Sequence, residues 1–521
     1  MRTLAMNQTP PTPLEETVLA FWTLANLSLV TQGSWLTVPS DLAACVAGLS
    51  IDTRTLEAGQ AYVALHGERF EGHDFVAQAF DQGAGLAIVD TPLAQAPEQP
   101  TLLVPNTLEA LHAIASAYRD LLAAADCKVI AVAGSNGKTT TRHLIHGLLE
   151  GRMITASPAD PVAAAHDVPG AERPDQWALT RLAGSQSPKS FNNAVGVPLT
   201  LLQAKANDHF VVCEIGTNHP GETATLAALV RPDAVVVTSV GREHLAFFHT
   251  LDAIAQEHAD LVRALRPGGT LVVEYEAWQR MEAIAHPPAN HVLVTYGRSP
   301  HAFAQLLDVT SDLQGIRFDV RMGTGREPVE GLVLPLLGEH NAVNALAGLC
   351  IAQWMRVDAI QCNLGLLNVT GVAGRLEPIA LEQDVTVIHD AYNANPDSMH
   401  KALDVLADLP GIRRVAVLGD MLELGELAPD AHREIGQRLA QMTDAIGCVV
   451  LVGQLSLFIA QAMGDAWPVD RVHTLGPWTD QTPDLVATLL EPGDTVLLKA
   501  SRELALERLL PAITSRFGQE V

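Results

Sequence analysis

The stretch with the clearest chemical content is KVIAVAGSNGKTTTR (128–142). A Val/Ala-rich run leads into Gly134, Ser135, Asn136, Gly137, Lys138, Thr139 and Thr140, and a helical pattern comes next. Glycines let a backbone turn tightly, so that successive N–H groups point at phosphate oxygens. The helix N-terminus adds the positive end of its dipole. A lysine at position 138 reaches the β/γ-phosphates of a nucleotide, and the Thr139 hydroxyl is suited to Mg²⁺. The common G-x-x-x-x-G-K-[ST] spacing would put its first glycine at Val132, so that general form is not met; the shorter G-x-x-G-K-T-T form is. The chain has only six lysines (128, 138, 189, 205, 401 and 499), which makes one inside a glycine-rich turn conspicuous. ATP binding is the expectation, set against an ordinary strand-to-helix turn.

Two further segments carry polar residues at the ends of apolar runs. CEIGTNHPGE (213–222) contains Glu214, and TSVGREHLAFF (238–248) contains His244. In open α/β sheets, ligands bind outside the carboxyl ends of the strands. Glu214 and His244 are therefore expected to converge on a metal and on the phosphates held by Lys138 and Thr139. A carboxylate suits Mg²⁺; histidine is a less usual ligand for it. Each residue alone reads as structural, and their joint placement after successive strands favours the metal. In LPLLGEHNAVNALAGLCIAQWM (334–355), His340, Asn341 and Asn344 fall in the first turn of an apolar helix. Capping accounts for one asparagine. The second, three residues on, shares its face and could meet a base edge.

The elements that must position these residues are legible as alternating strands and helices. KVIAVAG, HFVVCEIG, DAVVVTSVG, GTLVVE and HVLVTYG are short, continuous and Val-rich, as in a parallel sheet covered on both faces. DVTVIHDAY, RRVAVLGD, CVVLVG and DTVLLKAS repeat the style after Gly371. Ahead of them, AYVALHG (61–67), AGLAIVD (84–90) and a helical run at 107–125 form a separate block. At roughly 150 residues per domain, 521 residues make about three domains, with boundaries near 126 and 371. Residues 155–189 hold five prolines and little periodicity, and read as a solvated insertion.

Composition narrows the class. Hydrophobic residues are 48% and charged residues 18%, which suits packed cores and excludes a disordered chain. A net charge of −26 argues against a general nucleic-acid binder, which needs a basic face. Six cysteines (45, 127, 213, 350, 362, 448) include no C-x-x-C pair; Cys213, Cys350 and Cys448 sit in apolar runs and read as buried reduced thiols. With no signal-like N-terminus and no apolar run of membrane-spanning length, a soluble cytoplasmic protein is expected.

Together the motifs resemble the Mur ligases, ATP-dependent amide-forming enzymes of peptidoglycan precursor synthesis. The shared pattern is G-x-x-G-K-T-[ST], E-x-G, an H-L element, H-N-x-x-N and G-R-L/F-E, the last here Gly374-Arg375-Leu376-Glu377. DAYNANPDSM (390–399), AVLGDMLELGE (416–426) with His432, and DTVLLKASR (494–502) narrow the likeness to members that attach D-alanyl-D-alanine to UDP-MurNAc-tripeptide. SIDTRTLEAGQAYVALHGERFEGHDF (50–75) and SFNNAVGVPLTLL (190–202) agree.

The resemblance implies an α/β protein of three domains: a UDP-substrate domain (1–125), a central P-loop parallel-sheet ATPase domain (126–370) and a Rossmann-like C-terminal domain (371–521). By the same carry-over, Asp52, Thr53 and Arg54 hold the uridine nucleotide, and Asn192 and Asn193 face the muramoyl peptide. Asn341 and Asn344 belong to the nucleotide site, with Asn344 on adenine. Arg375 approaches the γ-phosphate and Asp390 the ribose, while Tyr392, Asn393 and Asn395 receive D-Ala-D-Ala. Thr139, Glu214 and His244 hold Mg²⁺. The expected roles are cell-wall biogenesis, cell shape and division, carried out by a monomer.

The chain departs from the family where a carbamylated lysine usually stands about fourteen residues after the metal-binding histidine. That position is His258, and no lysine lies between Lys205 and Lys401. A neutral imidazole could bind metal, a charged one could touch phosphate, and a surface histidine would do neither. Activity independent of bicarbonate is expected. Ala500 and Glu503 replace frequent glycines, and for the 155–189 insertion a substrate-side lid is the alternative to a solvated stretch. The alternatives are a Mur-type ligase adding another amino acid, or a nucleotide-binding switch that ligates nothing.

Overall fold

The computed structural model describes residues 13–67, 70–93, 97–150, 182–188, 190–205, 207–323 and 325–518. Most of the 155–189 stretch, read as a solvated insertion with a lid as the alternative, lies outside the described residues. The chain forms two compact units. The first comprises Met1–Ala131, Leu182–Gly216 and Ala224–Ala234; the second comprises Val132–Arg181, Thr217–Thr223 and Val235–Val521.

The first unit holds a five-stranded sheet in the order Ser34–Thr37, Thr101–Leu103, Leu86–Val89, Ala61–Val63, Leu49–Ser50. Only the Ser34–Thr37 edge pairs antiparallel. Ala61–Val63 and Leu86–Val89 are buried at every residue, as strands covered on both faces must be. Helix Thr107–Ala124 begins where the Asn106 side chain accepts from Glu109 N at 2.9 Å. It turns Tyr118 and Arg119 inward. Tyr118 donates to the Ala204 carbonyl at 2.6 Å, and the buried Arg119 donates to the Val230 carbonyl and to Asp233, each at 2.8 Å. A buried guanidinium without such partners would be strongly destabilising. The same unit contains the parallel pair Gly184–Gln186 and Phe210–Glu214.

In the second unit six strands run in the order Val329–Leu334, Gly315–Met322, Ala304–Asp312, Val292–Gly297, Thr270–Glu274, Ala234–Val237. Thr270–Glu274 pairs parallel with Val292–Gly297, as its Val-rich sequence suggests. The three strands from Ala304 to Leu334 pair antiparallel with one another, an addition that the repeating strand–helix pattern does not announce.

The C-terminal sheet has the order Glu377–Leu381, Val385–His389, Asp494–Lys499, Arg413–Gly419, Cys448–Val452, Val472–Gly476. All pairs but the first are parallel. Period-two alternation splits its strands between two cores. Ile388, Ala416, Leu418, Val449, Leu451 and Leu497 face one; Val387, Val415, Val417, Val450, Val496 and Leu498 face the other. The first core also takes in Leu245, Phe248, Ile254 and Leu337, so the segment after strand Ala234–Val237 is packed with the C-terminal sheet in one unit. Burying each such side chain contributes about 1.5–3 kcal/mol. Cys213, Cys350 and Cys448 are buried and free, as expected.

Candidate active site

The turn expected to bind phosphate forms where strand Lys128–Ala133 ends and helix Lys138–Glu150 begins. Gly134 has φ +131°, and a Cβ there would collide with Thr238 Oγ1. Gly137 has φ +84°, and its Cβ would lie 2.6 Å from Asn344 Oδ1. Both positions therefore require glycine. The turn is stitched to the loop after strand Ala234–Val237. Ser135 Oγ accepts from Gly241 N at 2.8 Å, Asn136 N donates to Ser239 Oγ at 2.9 Å, and Thr238 Oγ1 donates to the Asn136 carbonyl at 2.5 Å. The turn delivers the chain into the first turn of a helix, whose N–H groups lack intrahelical partners.

Three polar side chains from distant segments, those of Glu243, Arg375 and Asn395, gather on this turn. Lys138 Nζ donates to the Gly134 carbonyl at 2.5 Å and to Glu243 Oε2 at 3.1 Å. Arg375 Nη2 donates to Thr139 Oγ1 at 2.9 Å, and its guanidinium lies 4.3 Å from the centre of the Tyr392 ring. Asn395, which caps helix Pro396–Asp408, donates from Nδ2 to Asn136 Oδ1 at 3.0 Å. Lys138, Thr139, Arg375, Asn136, Tyr392 and Asn395 are thus brought together from sequence positions far apart.

The neighbouring loop is equally ordered. Arg242 makes three hydrogen bonds to Asp397, at 2.7, 2.8 and 2.9 Å, and two to Glu434, at 2.5 and 3.0 Å. The carboxylates raise its already high pKa further, Glu434 most. His244 adopts a left-handed backbone, φ +47°, unusual for a residue with a side chain. Its Nδ1 lies 2.7 Å from Glu423 Oε2, and its Nε2 lies 3.9 Å from Glu243 Oε2. His258, on helix Leu251–Arg263, is not a surface histidine: it is 2% exposed. Burial pushes its pKa down to about 4, so the ring is neutral. Beside it, the buried Glu257 accepts from Thr217 Oγ1, Gly221 N and Thr223 N, fixing the 217–223 loop.

The remaining expected residues occupy both units. In the second, Asn344 Nδ2 donates to Asn341 Oδ1 at 3.1 Å, and Asn341 Nδ2 to the Leu337 carbonyl at 2.8 Å, so this pair lies beside Gly137. Asp390 is paired with the buried Lys499 at 2.6 Å and also accepts from Leu376 N. Asn393 Oδ1 accepts from Ala394 N, and its carbonyl accepts from Lys499. In the first unit, buried Glu214 accepts from Asn192 Nδ2 at 3.1 Å. Asn193 Oδ1 accepts from Val195 N and Gly196 N at the start of helix Gly196–Leu202. Asp52 is clasped by Arg54 at 2.6 Å, which holds its carboxyl below the usual range, while Thr53 is buried beside them.

Sequence reasoning passed over Glu243, Arg242, Asp397 and Lys499. Glu243 stands directly before His244, so a charged residue adjoining a proposed ligand was its available signal. Arg242 and Asp397 pair across 155 positions and left none. A second polar cluster lies in the first unit. His66 and His73 stack at 4.9 Å, each between Glu71 and Asp90, and their ring nitrogens are engaged by those carboxylates at 2.6–3.1 Å. The two rings and two carboxylates form one hydrogen-bonded cluster.

The fold and the turn define a P-loop-type α/β protein whose glycine-built turn is lined by Lys138 and Arg375. Three family models match the chain in succession: Mur ligase family, catalytic domain (46–119); Mur ligase middle domain (132–352); and Mur ligase, glutamate ligase domain (374–502). The UDP-N-acetylmuramoyl-tripeptide–D-alanyl-D-alanine ligase of Bacillus subtilis is 33% identical over 94% of this chain and 97% of its own. Its Escherichia coli counterpart is 31% identical over 89% and 93%. A crystal structure of MurF from Acinetobacter baumannii superposes with a TM-score of 0.77 at 27% identity, covering 95% and 99%. The chain belongs to the Mur ligase family and has its three-domain α/β fold. It is an ATP-dependent, amide-forming ligase. No helix among the described residues is long and apolar enough to cross a membrane.

Proposed function

We propose that this chain joins D-alanyl-D-alanine to UDP-MurNAc-tripeptide, giving UDP-MurNAc-pentapeptide, ADP and phosphate for the cell wall. The observation that carries the reading is the convergence of Lys138, Thr139 and Arg375 on one glycine-built turn, in a chain whose relatives of that name match it from end to end. The division of labour runs along the three segments: 1–125 for the uridine nucleotide through Asp52, Thr53 and Arg54; 126–370 for ATP; 371–521 for the incoming dipeptide. Asn192 and Asn193 face the muramoyl peptide. Asn341 and Asn344 lie toward the base, Asp390 toward the ribose, and Tyr392, Asn393 and Asn395 toward D-Ala-D-Ala. Because the reaction consumes ATP and a UDP-linked precursor, the proposed compartment is the cytoplasm.

A peptide carboxylate is a poor electrophile because oxide cannot leave. Attack of one of its oxygens on the γ-phosphorus of ATP forms an acyl phosphate and releases ADP. The neutral amine of D-Ala-D-Ala then adds to the acyl carbon, phosphate leaves from the tetrahedral intermediate, and the amine proton passes to solvent. Phosphoryl transfer is largely a problem of positioning and charge neutralisation. Lys138 and Arg375 supply fixed positive charge at the turn. Glu243 and the Gly134 carbonyl hold Lys138 in place, and Tyr392 supports the Arg375 guanidinium. Hydroxyl and carboxylate groups such as those of Thr139 and the buried Glu214 are donors that suit Mg²⁺, and Thr139 and His244, both in the second unit, would hold it. When bound, Mg²⁺ neutralises phosphate charge.

A coupled ADP-release assay tests the reading. Release that requires both D-Ala-D-Ala and UDP-MurNAc-tripeptide is expected. Release with another amino acid in place of the dipeptide, or none with any acceptor, would overturn it.

A further inference from the structure

Far from the nucleotide turn in sequence, the first unit gathers two histidines and two carboxylates around one point. Residues 65–72 close as a hairpin: Gly67 N donates to the Phe70 carbonyl at 3.0 Å, and Gly72 N to the Leu65 carbonyl at 2.9 Å. The hairpin brings His66 and His73 against Asp90, which follows strand Leu86–Val89. Glu71 takes the other nitrogen of each ring. His73 Nδ1 lies 2.6 Å from its Oε1, and His66 Nδ1 lies 2.8 Å from its Oε2. Asp90 N donates to His73 Nε2 at 3.2 Å, so that nitrogen carries a lone pair and the ring proton sits on Nδ1, toward Glu71. Yet the same Nε2 lies 3.1 Å from Asp90 Oδ1, and a carboxylate oxygen has no proton to give. Two electron-pair donors therefore face one another. His66 Nε2, 2.9 Å from the same oxygen, becomes a third donor when its proton also sits on Nδ1, toward Glu71. Asp90 is held in this pose through Oδ2, which accepts from Thr107 N at 3.1 Å and Thr107 Oγ1 at 3.2 Å.

We propose that His66 Nε2, His73 Nε2 and Asp90 Oδ1 hold a Zn²⁺ ion, and that Glu71 positions both rings for it. The three ligand atoms lie within 4.8 Å of one another. Ligands on a tetrahedral ion with arms of about 2.0 Å stand roughly 3.3 Å apart, so the contacts to Asp90 need only a small outward shift. The ion takes the His73 lone pair in place of the long bond from Asp90 N. Two imidazoles and one carboxylate suit Zn²⁺, whereas Ca²⁺ and Mg²⁺ take oxygen ligands. A carboxylate that accepts the remaining N–H of a ligating histidine fixes its tautomer and raises its basicity, and Glu71 does this for two rings at once. The His66 side chain is 53% exposed, so the fourth position opens to solvent and takes water or an oxygen of a small anion. The ion ties the 65–72 hairpin to the end of strand Leu86–Val89 and, through Asp90, to the start of helix Thr107–Ala124. It makes no use of Lys138, Thr139 or Arg375, so it stands or falls apart from the nucleotide reading.

The test titrates Zn²⁺ into the full chain, free of any affinity tag and stripped with a chelator, and reads the heat of binding. Co²⁺ serves as a coloured stand-in. The wild type should bind a Zn²⁺ that His66→Gln and Asp90→Asn lose, and that Glu71→Gln binds roughly 10- to 100-fold more weakly. The intense visible bands of four-coordinate Co²⁺ should appear in the wild type and vanish in His66→Gln. The half-exposed His66 makes His66→Gln the variant least disturbing to folding, and melts of the metal-free proteins check each variant. Zn²⁺ should raise the melting midpoint of the wild type more than that of His66→Gln. Equal Zn²⁺ affinity and the same Co²⁺ bands in the wild type and both ligand variants would overturn the site. A folded wild type that binds no Zn²⁺ would overturn it too, and would mean that protons alone hold the rings to the carboxylates.

Discussion

Lys138 is held in place by its partners. Its ammonium is fixed between a carbonyl and a carboxylate, so its charge is positioned before nucleotide arrives. Replacing Lys138 by Ala should lower kcat about 10²- to 10³-fold, the cost of losing one preorganised charge at a reacting centre. Steady-state ADP release measures it, and a kcat within about twofold of wild type would remove Lys138 from the chemistry. His258 makes a second residue-scale prediction. A buried neutral imidazole cannot take up CO₂ as an amine does, so depleting CO₂ should leave the rate unchanged. A rate that falls on depletion and returns with bicarbonate would show that another group is modified.

At the scale of elements, the strand–turn–helix unit depends on close approach. Gly137 lies against Asn344 with φ +84°. Substitution by Ala places a Cβ 2.6 Å from Asn344 Oδ1 and forces a left-handed alanine, at about 1–2 kcal/mol. That cost falls on the folded state and should lower the urea midpoint of unfolding; an unmoved midpoint would mean the turn relaxes freely. Arg242 ties the loop before His244 to helices Pro396–Asp408 and Ala428–Ala440 through Asp397 and Glu434. These groups are about one-third exposed, so solvent screens them, and Arg242→Ala should cost about 1–2 kcal/mol rather than the full value of a buried network. Urea unfolding monitored by circular dichroism would show a lowered midpoint; an unmoved midpoint counts against the tie.

Across the described residues, several partly or fully buried histidines are held in the neutral form. Burial lowers His143 and His258 to about 4 and His340 to about 3. A folded pKa below the unfolded value of about 6.5 means that protons bind the unfolded chain first. The stability these groups contribute is present above about pH 6.5 and is lost as pH falls toward about 4, at up to about 1.4 kcal/mol per pH unit for each. His66 has the opposite sign: Glu71 and Asp90 raise its pKa, so its contribution is full below about 6.5 and fades as pH rises through the folded value. This ring is exposed, and the three with lowered pKa should dominate. Urea midpoints compared at about pH 7.5 and about pH 5 should fall on acidification; a flat profile would mean that the buried rings find acceptors when protonated.

By itself the sequence determined the local devices. The glycines, lysine and threonines of 134–140 lie in one short run after a Val-rich strand, and such a turn needs no distant residue to be recognised. The continuous Val-rich runs of the C-terminal strands likewise announce a sheet covered on both faces, because side chains of successive residues point to opposite faces. Only the tertiary structure decided what meets the turn. Arg375 reaches Thr139 from 236 positions away, Asn395 reaches Asn136 from 259, and Asp397 receives Arg242 from 155. Whether His258 was a surface residue or a buried one, and what Glu243 did beside His244, depended on which face of helix Leu251–Arg263 packs inward and on a left-handed kink at His244. Periodicity marks an apolar face, but it does not say which distant charges that face is brought against. Such contacts are set by chain crossings that no local pattern encodes.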